Sequence, residues 1–199
     1  MSPDFDHPWP GRIAIAVFAA LVALATQLAP PGIAIFDELL RDPLLRLTAT
    51  PEAETRITVV DIDEASLAEI GPWPWPRERL ADLVEILLGP LGTRGVALDM
   101  VLPEASDGPG DARLAALAAH APLTLSVALD YLPRHPPLAQ GLPGKSRRWQ
   151  DGETFVAATG YVGNHALFGA ARCVGNIGFL PDADGAIRRL PALSRLGEQ

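Results

Sequence analysis

Three carboxylates, Asp61, Asp63 and Asp99, follow short apolar runs rich in β-branched residues. Ile57-Thr58-Val59-Val60 precedes the first two, and Gly95-Val96-Ala97-Leu98 precedes the third. Such runs read as buried strands. Side chains alternate along a strand, so Asp61 and Asp63 share a face, and two parallel strands carry their carboxyl ends to one sheet edge. Three carboxylates there offer the hard oxygen ligands that Mg²⁺ or Ca²⁺ requires. The plainer alternative is structural: Asp63 or Glu64 caps a short helix around Ala65 to Ile70, and Asp99 pairs with Arg77 or caps a turn.

Between these strands lies Gly71-Pro72-Trp73-Pro74-Trp75-Pro76-Arg77. A residue before proline is pushed towards extended backbone, so Trp73 and Trp75 are held rigidly, to stack on a ligand, to enter a subunit interface or to roof the core with Arg77 as anchor. Near the other end, Pro181-Asp182-Ala183-Asp184-Gly185 carries an Asp-Gly turn signal between two strand-like runs, 174–180 and 186–190, and Arg188 completes that signature. Asp182, Asp184 and Gly185 also resemble half of a calcium loop, but Leu180 stands at the first ligand position. Ala139 to Ser146 satisfies a permissive phosphate-loop pattern, yet proline-rich sequence precedes it and Arg147-Arg148-Trp149 follow, where the motif needs a strand and a helix. His7, His120, His135 and His165 sit in unlike contexts, and neither G-x-S-x-G nor H-E-x-x-H occurs. Catalysis and a bound cofactor are not expected of this chain.

The elements that would position these groups follow from periodicity. Leu80, Leu83, Val84, Leu87 and Leu88 recur at helical spacing behind Pro76, which suits a first turn. Strand, helix and strand make a crossover unit. Asp111 can cap a helix over Ala112 to Ala119 that buries Leu114, Leu117 and Ala118, and a further strand covers Leu123 to Leu129. The expected fold class is α/β: a mixed, largely parallel sheet with flanking helices and a C-terminal β-hairpin. From Asp130 to Glu153 periodicity gives way to an exposed excursion.

The N-terminus has a different character. Ile13 to Ala29 is an uncharged run halted by Pro30-Pro31, roughly 26 Å long as a helix, at the short end of a membrane span. A transmembrane anchor is the first expectation. Ala23-Leu24-Ala25 also fits a cleaved signal peptide, and a buried core helix is the third reading. Ile33 to Arg41 can continue as a helix that Asp42-Pro43 breaks or kinks.

The 199-residue chain carries a net charge of −8, which excludes a basic footprint for nucleic acid. Cys173 is its single cysteine, so no intrachain disulfide or cysteine-based metal cluster can form.

The run from Ile62 to Glu104, with GPWPWPR at its centre and DADGAIRRLP later in the chain, resembles the extracellular CHASE domain of type two, found in bacterial transmembrane cyclases, histidine kinases and serine/threonine kinases. The resemblance spans roughly residues 35 to 195. It implies a sensory input domain for an unknown small-molecule or protein signal, with residues after about 30 outside the inner membrane. It also implies homodimers, and further membrane helices with a cyclase or kinase output downstream. The domains expected are a tail over 1–12, a membrane helix over 13–29, a juxtamembrane helix and linker over 30–55, the sensory domain over 56–195 and a connection over 196–199. A rival reading is a secreted metal-dependent phosphohydrolase using Asp61, Asp63 and Asp99, since the D-x-D resembles the start of the haloacid-dehalogenase phosphohydrolases. Ala65 departs from that family's Thr or Val.

Overall fold

A computed structural model describes residues 9–28, 34–50, 52, 54–145, 154–182 and 184–197. The expected tail before Trp9, the Pro30-Pro31 stop, Ser146 of the phosphate-loop pattern and Ala183 of the turn lie outside the described residues. The chain divides into two compact units, Met1–Thr58 and Val59–Gln199.

The first unit is helical. Helix α1, Trp9–Leu28, starts ahead of the uncharged run, with Pro10 in its first turn, where the missing N–H costs no hydrogen bond. Its described side chains, Gly11 to Leu24, are all exposed, Ile13, Ile15, Phe18 and Leu21 among them. Among the described residues no helix is long and apolar enough to cross a membrane. Helix α2, Ala34–Thr48, contains Pro43 in its interior, so of the expected break or kink at Asp42-Pro43 the break does not occur. Intrahelical bonding resumes beyond the proline: the Thr48 hydroxyl donates to Leu44 O at 2.9 Å and Ala49 N to Leu45 O at 2.8 Å.

The second unit is mixed α/β. Helix α3 is Glu64–Ile70, α4 Arg77–Leu88 and α5 Gly108–His120. The strands are β1 Val96–Ala97, β2 Leu123–Asp130, β3 Ala139–Gln140, β4 Val156–Ala158, β5 Gly160–Val162, β6 Cys173–Asn176 and β7 Ser194–Leu196. Strand β2 is the hub: β1 and β6 pair with it in parallel and β5 antiparallel, while β3 runs parallel to β5. A separate two-stranded sheet joins β4 and β7 in parallel. Having partners on both edges, β2 is the most buried strand, and in the sequence its Leu123, Leu125, Val127 and Leu129 alternate with Thr124, Ser126 and Ala128.

One core lies where α4 and α5 pack together over the sheet. It gathers Trp75, Leu80, Ala81, Val84, Leu98, Leu102, Leu114, Ala118, Leu123, Leu125, Phe168 and Ala171. Leu80 and Val84 are one helical turn apart, as are Leu114 and Ala118, so each helix presents a stripe to it. Across the outer surface of the helix pair, Arg113 holds Asp82 at 2.7 Å and Glu85 Oε1 at 2.9 Å, which keeps the Glu85 carboxyl below its usual range.

Four local expectations are corrected. The run Ile57 to Asp63 forms no strand: Ile57 and Val60 are exposed, and Val59 is 86% exposed. A β-branched run needs an edge that accepts its backbone groups, and β1, expected over 95–100, has only two residues. Helix α5 starts before Asp111, which therefore faces the interior instead of capping the helix; Asp107 occupies the N-cap position. The Asp-Gly turn forms, with Asp182 N donating to Ala186 O and Gly185 N to Asp182 O, both at 2.9 Å. Its flanks build no hairpin, because β6 is spent on β2 and the next strand, β7, is spent on β4.

Candidate functional site

Trp73 and Trp75 face different surroundings. Gly71 closes α3 at φ 122°, a conformation that suits glycine, and its carbonyl accepts the Trp75 indole N–H at 2.8 Å. That bond satisfies the one polar atom of a side chain that is otherwise core, 6% exposed. Trp73, 44% exposed, leans on it with ring centroids 6.1 Å apart at 57°. The segment roofs the core with one indole and offers the other to the outside.

Arg77, at the first turn of α4, is buried. Its Nη2 donates to Glu104 O at 3.4 Å and its Nε lies 3.6 Å from Asp111 Oδ1. Asp111 Oδ2 accepts from Ser106 N at 2.7 Å, and Asp107 Oδ2 from Glu78 N at 3.3 Å. The N-terminal turns of α4 and α5 are thereby locked to the loop 104–107 through two aspartates and one arginine. Arg77 Nε, Asp107 Oδ1 and Asp111 Oδ1 make no hydrogen bond among the described residues. Gly110 permits the approach, since a Cβ there would come within 2.2 Å of Asp107 Oδ1 and Glu78 N.

The sequence-derived carboxylates separate. Asp63 is the N-cap of α3: its Oδ1 accepts from Ser66 Oγ at 2.7 Å and Ser66 N at 2.8 Å, and these bonds hold its carboxyl below the usual range. Asp61 and Asp99 are exposed, and Arg77 pairs with Asp111, not Asp99. Among the described residues no three of His, Cys, Asp and Glu form a group able to hold a metal ion. The phosphohydrolase reading therefore finds no centre at these three residues.

Asp182, Asp184, Gly185 and Arg188 do come together. Gly185 has φ 83°, and Ala186 N donates to Asp184 Oδ1 at 3.1 Å. Arg188 reaches both oxygens of Asp184, and its Nη1 also reaches Asp182 Oδ2 at 3.3 Å; Arg189 Nη1 donates to Asp182 Oδ1 at 2.8 Å. The Arg188 contact, with the Ala186 amide second, lowers the Asp184 pKa to about 2. Phe179, Ile187 and Leu190 remain exposed near this clasp in the chain.

Two depressions mark the surface of the second unit. One, about 360 Å³, is an open groove between Arg113 and His120 on α5 and Glu85 on α4. The other, about 100 Å³, is lined by Leu142, Gly144, Lys145, Asn164, Phe168 and Val174. Asn164, which no sequence pattern singled out, is buried and bridges three segments: its Oδ1 accepts from Leu102 N at 3.0 Å, and its Nδ2 donates to Ser126 O at 2.8 Å. Strand β3 precedes the Gly141 to Lys145 stretch, but the helix that would cradle phosphates does not follow within the described residues.

Clamps, caps and a half-exposed tryptophan are means of holding shape and of contacting another molecule. No curated protein and no solved structure matches the chain. The family model of the CHASE2 domain matches residues 15–197, across both units and both signature segments, so the chain belongs to the CHASE2 family of sensory, extracellular-type domains.

Proposed function

We propose that this chain is the signal-input region of a bacterial transmembrane receptor, with α1 as its membrane anchor, residues after about 30 extracytoplasmic and a cyclase or kinase output elsewhere in the full protein. The observation that carries this reading is the CHASE2 match over residues 15–197. The uncharged stretch of α1, whose described side chains all face outward, supports the anchor. A signal acts by binding two arrangements of the domain unequally, so that its differential affinity shifts their populations. Trp73 and the loop 104–107 held by Arg77 are the surfaces assigned to that signal or to a second subunit.

Topology is the decisive test. Reporters fused after residues 10 and 120 of the full protein should report a cytoplasmic and an exported position, respectively, in an uncleaved chain. A cytoplasmic residue 120, or output unchanged in a receptor lacking residues 56–190, would sink the proposal.

A further inference from the structure

Strand β1 is the terminal strand of its sheet. Val96 N donates to Pro122 O and Leu98 N to Thr124 O, both towards β2. In a parallel ladder the intervening residue points its N–H and C=O the other way, so Ala97 presents both to the open edge. Such an edge is a template for a further strand. The same unit contains a β-branched run with no strand partner among the described residues, Val59-Val60-Asp61-Ile62, whose first two residues are exposed while Ile62 packs against the core.

We infer that Val59–Ile62 is a strap that docks in parallel on the free edge of β1 in a second state of the domain. The connection is suitable: α3, the proline-rich turn and α4 supply more than the roughly dozen residues that a parallel crossover needs. The register is set by the core. Ile62 and Met100 are both partly buried against the same cluster, so placing them side by side aligns Val60 with Leu98 and Val59 with Ala97. Period-two alternation then turns Val60, with Ile62, to the face that Leu98 already buries, and Val59 and Asp61 to the face of Ala97 and Asp99. Val60 N donates to Ala97 O, Asp99 N to Val60 O and Ile62 N to Asp99 O. Docking trades solvated backbone groups for a ladder and buries Val60; undocking releases the segment that leads into α3. The two states give the domain a bistable element independent of which signal it takes.

Cross-linking in the full chain tests this. Cys173 is exposed, so it is replaced by Ser to leave no background thiol. In that background Val59→Cys with Ala97→Cys, both exposed positions, places two thiols on one face of neighbouring strands, within the Cα separation that a disulfide accepts. Under mild oxidation this pair should close within one chain, with faster migration on a non-reducing gel and loss of both free thiols. Val60→Cys with Ala97→Cys, on opposite faces, should stay reduced. Adding Val60→Pro to the first pair removes the N–H that Ala97 O accepts, and should abolish the cross-link. A Val59/Ala97 pair that stays reduced, equal closure of the two pairs, or a disulfide joining two chains would overturn the inference, the last by assigning the edge to a second copy.

Discussion

Arg188 holds Asp184 end-on, with Nη1 2.9 Å from Oδ1 and Nη2 2.8 Å from Oδ2, four residues apart across the Gly185 turn. Two parallel charge-assisted bonds fix the angle as well as the distance between the groups. The clasp is therefore a geometric device, and lysine, with a point charge in place of a planar fork, should not replace it.

Acid should open that clasp late. The Asp184 carboxyl is lowered from 3.8 to about 2 in the folded chain, so its contribution to stability is complete above the unfolded value and lost as pH falls through about 2. Urea melts of the wild type and of Asp184→Asn should differ by a constant margin at pH 5 and converge between pH 4 and 2, values set by that linkage. A margin independent of pH over that interval would contradict the assignment.

Asp111→Ala should cost about 3–5 kcal/mol, because it leaves the Arg77 guanidinium buried and uncompensated. The Arg77 and Asp111 side chains are 11% and 2% exposed. The double substitution Arg77→Met with Asp111→Leu removes both charges and should recover much of the loss. Chemical denaturation of the wild type, Arg77→Met, Asp111→Leu and the double variant measures the coupling, and additive losses would show that the two groups do not interact.

Gly110→Ala sets two effects against each other. Helix propensity favours alanine inside α5 by about 1 kcal/mol. The added methyl, however, meets Asp107 Oδ1 and Glu78 N at 2.2 Å, and overpacking of this kind costs about 1–3 kcal/mol. The expected outcome is net destabilisation in urea; a more stable variant would mean that the two helix starts are free to separate.

The tryptophans should part company. Trp75→Ala removes a core side chain and the bond to Gly71 O, a loss of about 3–5 kcal/mol. Trp73→Ala should change stability by less than about 1 kcal/mol, the range usual for exposed positions, while reducing response to the signal in the full receptor. Thermal melts give the first comparison and output assays the second.

Helix α4 and strand β2 were legible in the sequence because each writes its own period: Leu80 and Val84 mark a stripe, and Leu123, Leu125 and Val127 recur at every second position. The Asp63 cap was also readable, since donor and acceptor are three residues apart. Partners distant in sequence were not. Asp111 looked like a cap because a cap is the local use of an aspartate before an apolar stripe; its real contacts, Arg77 and Ser106, depend on how α4 meets α5. Asn164 was invisible for the same reason, lying 62 residues from Leu102 in a stretch with no period. Ile57 to Asp63 shows the opposite failure: composition states what a run prefers, not whether a neighbour as short as the two-residue β1 holds it in place.

Strand β2 borders three others, so amide hydrogen exchange should divide the second unit by depth. The N–H groups of Leu125 to Val127 can meet solvent only when the whole sheet comes apart, and they should report the global unfolding free energy. The β4–β7 pair, hydrogen-bonded to each other and outside that sheet, can open on its own and exchange sooner. The domain thus has a slow centre and a fast rim, and events at the rim can run many times within one lifetime of the centre.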